Sequence, residues 1–123
     1  MIIRAEQVAA LLAAQERYLV RRIGAHLVKN YPEYVIGVSD AELHRRVLMC
    51  VNRARGYGVT WESCLASFTV MAFVYGPNFY DQPAIQKALN DESLDPNIRV
   101  KLLPSRTRRR DWSEAAAQTR VWP

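Results

Sequence analysis

The stretch RARGYGVTWESCLASFTVMAFVYGPNFYDQP, Arg53 to Pro83, decides the fold. It reads as the end of one helix, a tight glycine turn, an apolar helix, a glycine-proline stop and a polar loop. From Trp61 to Tyr75 the only charged residue is Glu62. A helix that apolar belongs at the centre of a domain, touched on more than one side. Thr60 is its expected N-cap, with Glu62 in the first turn favourable to the helix dipole. Gly56 is the expected left-handed stop of the preceding helix, with Tyr57 as the apolar contact that follows.

Upstream, Ser39-Asp40-Ala41-Glu42 is a capping-box pattern that opens a helix with Leu43, Val47, Cys50, Val51 and Ala54 on one stripe. A longer helix is expected from about Arg4 to Asn30. In it Val8, Leu11, Leu12, Tyr18, Leu19, Ile23 and Leu27 recur at spacings of three and four and predict one apolar face. Pro32 disfavours helix at Tyr31 and places the stop. At ~1.5 Å per residue this element is roughly 40 Å long, the spine of the domain.

Downstream, Asp81 is the expected cap of a helix over about Gln82–Asn90, with Pro83 tolerated in its first turn. Asp95-Pro96 opens another by the same device, with Ile98, Val100, Leu102 and Leu103 as its apolar side up to Pro104. Asp111-Trp112-Ser113-Glu114 can start one last short helix. No segment alternates apolar and polar residues between hairpin turns. The expected architecture is all-α: a single compact bundle of five to six helices over residues 1–103, then a basic C-terminal extension at 104–123.

A chain of 123 residues suits one domain with one modest core. The strongest apolar run, Cys64 to Tyr75, falls short of the ~20 residues a bilayer span requires. Met1-Ile2-Ile3-Arg4 lacks the basic and apolar regions of a signal peptide, so a cytoplasmic location is expected. Cys50 and Cys64 each fall among core-type neighbours and are expected as free buried thiols. Of the net charge of +5, residues 104–123 carry +3, from five basic and two acidic residues.

Chemistry-bearing constellations are missing from the linear sequence. His26 and His44 fall on different helices with no ligand at metal spacing. Ser63 and Ser67 lie inside an apolar helix without a strained elbow. Glu6, Glu16, Glu33 and Glu62 form no paired-carboxylate pattern. Gly56 and Gly58 follow a helix, whereas a phosphate loop follows a strand. The helix from Trp61 to Tyr75 has no Lys or Arg, which makes it a poor recognition helix for a nucleic-acid groove. The expectation is no enzyme, no catalytic residue, no metal and no cofactor.

Two basic features remain. Arg45, Arg46, Arg53 and Arg55, joined by Arg21 and Arg22, read either as solvated faces paired to Glu42 and Glu16 or as a docking face for an acidic protein surface. The stretch Arg106 to Arg110 reads as a solvated tail, as a segment that orders on a partner, or as an electrostatic nucleic-acid binder. Trp112 and Trp122 favour the protein partner, because exposed tryptophans are frequent interface anchors.

RARGYG (Arg53–Gly58), MAFVYGPNFYDQP (Met71–Pro83) and ALND…DPNIRVKLL (Ala88–Leu103) together resemble a family of small helical bacterial proteins. That family is associated with type VI secretion gene clusters, beside effectors, PAAR-tip proteins and their loading chaperones. The matched positions are packing and turn residues, so the resemblance implies a setting and not a catalytic step. It implies a protein-binding accessory, an adaptor or co-chaperone for an effector or its loading chaperone. An immunity protein that neutralises a cognate toxin is the second reading, and nucleic-acid binding through the tail is a third of another class. The expected partner-binding residues are Arg53, Arg55, Tyr57, Trp61 and Tyr80, with Arg108, Arg109 and Trp112 in the extension. Core packing and helix capping are the competing roles for the first five.

Overall fold

A computed structural model describes residues 4–118 and 121–123. Among the described residues there is no strand. The α-helices, in chain order, are α1 (Ala5–Asn30), α2 (Asp40–Gly56), α3 (Glu62–Tyr75), α4 (Pro83–Leu89), α5 (Pro96–Lys101), α6 (Leu103–Arg106) and α7 (Arg109–Ala117). Two 3₁₀ turns, Pro32–Tyr34 and Phe79–Asp81, sit in the connections. The all-α bundle expected from the sequence is the observed fold.

α3 is its centre, packed against α1, α2, α5 and α7. Cys64, Leu65, Phe68, Thr69, Ala72 and Phe73 are all buried. Thr69 is tolerated there because its hydroxyl donates to the Leu65 carbonyl at 2.8 Å, which leaves no orphaned polar atom. Around α3 runs an aromatic cluster. The Phe68 ring meets Phe79 edge-on at 5.0 Å and Tyr80 in a stacked arrangement at 6.1 Å. Trp112 of α7 stacks on Phe79 at 5.9 Å and tilts against Tyr75 at 4.7 Å. α6 and α7 therefore fold back on the bundle, with Leu103 and Ala115 buried. Cys50 and Cys64 are both free and buried.

The apolar face expected along the whole of α1 is only half used. Val20, Ile23, Gly24 and Leu27 are buried, whereas Val8, Leu11, Leu12 and Tyr18 are 41%, 56%, 59% and 60% exposed. Length explains the difference. At ~1.5 Å per residue α1 spans roughly 39 Å, against roughly 26 Å for α2 and 21 Å for α3. The neighbours end before the N-terminal half of α1 does, so that half extends past the core.

Several helix ends differ from expectation. α2 does start on Ser39, whose hydroxyl accepts from the Glu42 amide at 3.2 Å. Its stop is a Schellman turn on Gly58 and not on Gly56: the Gly58 amide donates to the Arg55 carbonyl at 2.9 Å and the Val59 amide to the Ala54 carbonyl at 3.2 Å. Gly58 takes the left-handed φ of +90°, while Gly56 is the last helical residue. Val59, the residue after the left-handed glycine, is fully buried and takes the apolar place that was expected of Tyr57. At α3 the cap position is Trp61, which offers no acceptor, and the Thr60 hydroxyl instead accepts from the Asn97 side-chain amide at 3.1 Å. At α4 the cap is Gln82 and not Asp81; its side-chain oxygen accepts from the Ile85 amide at 2.9 Å. Asp81 belongs to the preceding 3₁₀ turn. The helix opened by Asp95-Pro96 ends at Lys101, because Pro104 has no amide to continue the ladder and sits instead in the first turn of the short α6.

Candidate docking face on the outer side of α2

Val47, Cys50, Val51 and Ala54 point α2 into the core. The residues between them, Arg45, Leu48, Met49, Asn52, Arg53 and Gly56, recur at spacings of three and four and so form the opposite face of the helix. With Tyr57 they line an open groove of about 630 Å³. Its floor is apolar and its ends are cationic.

At the N-terminal end Glu42 is shared by two arginines. Arg45 makes a two-point contact, Nε to Oε2 at 2.8 Å and Nη2 to Oε1 at 2.6 Å, and Arg46 Nε reaches Oε1 at 2.9 Å. These bonds hold the Glu42 carboxyl down to about 2. One carboxylate against two guanidiniums leaves a net positive charge.

At the other end the Arg53 guanidinium lies 5.2 Å over the Tyr80 ring. Tyr80 in turn meets Tyr57 edge-on at 6.1 Å. Among the described residues Arg53 has no carboxylate in ion-pair contact. Burial raises the Tyr57 and Tyr80 hydroxyls above the usual phenol range, so both remain neutral donors. A guanidinium held over a ring keeps its N–H donors available, an arrangement suited to a carboxylate.

Of the residues singled out in the sequence, Arg53, Tyr57 and Tyr80 are brought together here. Arg55 is not: it turns to α1 and bonds Glu16 Oε1 at 2.8 Å, tying the two helices. Trp61 is 47% exposed and makes its contacts elsewhere, with Lys101 Nζ 5.8 Å from its ring centroid. Trp112 is part of the aromatic cluster, and its indole N–H donates to Thr107 Oγ1 at 2.8 Å. Arg108 lines a separate cleft of about 820 Å³ with Lys87, Arg106 and Arg110, where Asp91, Glu92 and Asp111 offset much of the positive charge. Arg109 is exposed and does not line that cleft.

Leu48, Met49 and Asn52 are groove residues that the sequence analysis did not single out. Their spacing was visible, but which face of α2 the neighbours would leave open was not. Among the described residues no three His, Cys, Asp or Glu side chains gather as metal ligands. No described helix is long and apolar enough to cross a membrane. No family model matches this chain, and no curated protein or solved structure matches it either.

Proposed function

We propose that this chain is a non-enzymatic protein-binding accessory that docks its partner on the outer face of α2. The observation that carries the reading is Arg53, lying over the Tyr80 ring and without an ion-paired carboxylate among the described residues, at the end of a groove floored by Leu48, Met49 and Tyr57. Aromatic and arginine side chains of this kind dominate binding energy at protein interfaces. The partner chemistry that fits is a segment with apolar anchors and an acidic residue to meet Arg53. The resemblance to type VI secretion accessory proteins supplies the setting: an adaptor or co-chaperone that holds an effector or its loading chaperone before export.

The basic extension gives less support to nucleic-acid binding. Arg106 is already paired with Asp91 at 2.5 Å, and the Asp111 carboxylate sits in the same cleft. The test is co-expression with a type VI effector and its loading chaperone from the same genome, followed by co-elution. Leu48→Asp and Arg53→Glu are expected to abolish co-elution and to lower the effector's level or export while kin cells survive. Retained co-elution in both variants sinks the docking face. Loss of kin protection with normal export would mark an immunity protein instead.

A further inference from the structure

The chain meets α2 a second time through its residues 121–123. The Trp122 ring lies 4.8 Å from that of Phe73 on α3, and the Arg46 guanidinium sits 5.2 Å over it. Pro123, itself exposed, lines a small cavity of about 30 Å³ together with Met49, Cys50, Arg53 and Tyr80. Met49 and Arg53 line the α2 groove as well, so the seat of Trp122–Pro123 and the groove form one continuous surface.

Arg46 and Arg53 are seven residues apart, two helical turns, and therefore share a face of α2. Each lies over an aromatic ring. Both rings pack against the core, and the ring under Arg53 is that of Tyr80, fixed within the 3₁₀ turn between α3 and α4. The ring under Arg46 belongs to a three-residue segment whose first member, Val121, is 70% exposed. That segment lays a half-buried tryptophan against Phe73 and sets an exposed proline at the edge of the neighbouring cavity, and its own side chains show what the seat accepts.

We propose that Val121–Pro123 is a displaceable latch in the aromatic-anchor end of the docking groove, and that a partner takes the same seat with an aromatic–proline segment of its own. The proposal rests on α2 being the docking face and names the chemistry of the partner. Phe73 and Arg46 form the slot for the aromatic ring, the wall of Met49 and Tyr80 receives the proline, and Arg53 meets an adjacent carboxylate. A tethered segment competes at an effective concentration of roughly millimolar. Only a partner that also fills the Leu48–Met49–Tyr57 floor displaces it, which makes the latch a filter against isolated aromatic peptides.

Cys50 is the reporter. It is buried, its thiol is pushed up to about 12 by that burial, and it shares the lining of the small cavity with Pro123. In a Cys64→Ala background Cys50 is the sole thiol. Its labelling by a disulfide reagent is followed in that background alone, with Trp122→Ala, and with the chain ended at Gln118. Circular dichroism melts accompany each variant. Both latch variants are expected to label at least ten-fold faster and to lose only the stability that such a latch supplies, about 1.4 kcal/mol for a factor of ten, read as a midpoint lower by a few degrees. The peptide AQTRVWP, residues 117–123, is expected to slow labelling of the shortened chain at millimolar concentration, and its Trp→Ala counterpart is not. An unchanged labelling rate, a rise accounted for by global unfolding of the variant, or no protection by AQTRVWP overturns the proposal. The labelling assay does not depend on the co-elution test, so the latch and the docking reading can fail separately.

Discussion

Asn97 holds the backbone of Trp61 from across the bundle: its side-chain oxygen accepts the Trp61 amide at 2.8 Å. The same oxygen accepts the Thr60 amide at 2.9 Å, and the side-chain nitrogen returns a bond to the Thr60 hydroxyl at 3.1 Å. Asn97 is buried and positioned by Asp95, whose carboxylate accepts from the Asn97 backbone amide at 2.9 Å. The entry to α3 is thus capped by a residue 36 positions away. Asn97→Ala removes the acceptor and the donor together. It is expected to cost about 2–3 kcal/mol, read as a lower urea midpoint with an unchanged slope. A loss below about 0.5 kcal/mol would mean that water replaces the amide without penalty.

The two glycines of the GYG turn are expected to respond in opposite directions. At Gly58 a Cβ would lie 2.9 Å from Pro96 Cγ, and φ is +90°. Gly58→Ala therefore meets both strain and a clash, and should lose about 1–3 kcal/mol. At Gly56 nothing lies within 4 Å of a built Cβ and the residue is helical. Gly56→Ala should be neutral or gain about 0.4–1 kcal/mol by restricting the unfolded chain. Thermal melts of the two single variants decide it, and equal losses would place the left-handed residue wrongly.

That pair also marks where the sequence stopped being legible. A glycine stop near residue 56 was readable from composition, but its register depends on which apolar residue after the turn finds the core, and here it is Val59. The central place of α3 was readable because nearly every face of it is apolar. The exposure of Val8, Leu11 and Leu12 was not, since periodicity states which face is apolar and not whether a neighbour reaches it. The same holds for the candidate site. Arg53, Tyr57 and Tyr80 could be nominated beside the turns, but Leu48 and Met49 look like any half-buried helix positions until the packing of α1 and α3 leaves them uncovered. Asn97 gave no signal, because a cap supplied from another helix leaves no local pattern.

Gln82 joins α4 to α7 by a bond that a carboxylate cannot make. Its buried side-chain nitrogen donates to Asp111 Oδ1 at 3.2 Å and to Glu114 Oε2 at 3.0 Å, while its oxygen caps α4. Gln82→Glu replaces the donor with a third negative charge. At neutral pH the cost is expected on the order of 3 kcal/mol. Acidification neutralises one of the three carboxylates, so the urea midpoint of the variant should rise from about pH 7 to about pH 5. A midpoint that instead falls in step with the parent's would mean that the three carboxylates do not meet.

Glu42 gives the acid dependence of the α2 face. Bonds from Arg45 and then Arg46 take its carboxyl from the ordinary 4.5 down to about 2. A folded-state value below the unfolded one means that its contribution is fully present above about 4.5 and is lost as pH falls from there through about 2. The carbon-13 shift of the Glu42 carboxyl should therefore titrate near 2, well below the exposed glutamates. Arg45→Gln with Arg46→Gln should move that midpoint back up towards 4.5, since both guanidiniums are then gone. Because the carboxyl is solvent-exposed, added salt should raise the wild-type midpoint as well. A wild-type midpoint near 4.5 at low salt would show that the two arginines do not hold Glu42 in solution, and the cationic N-terminal end of the groove would then be free to bind an acidic partner without first releasing its own carboxylate.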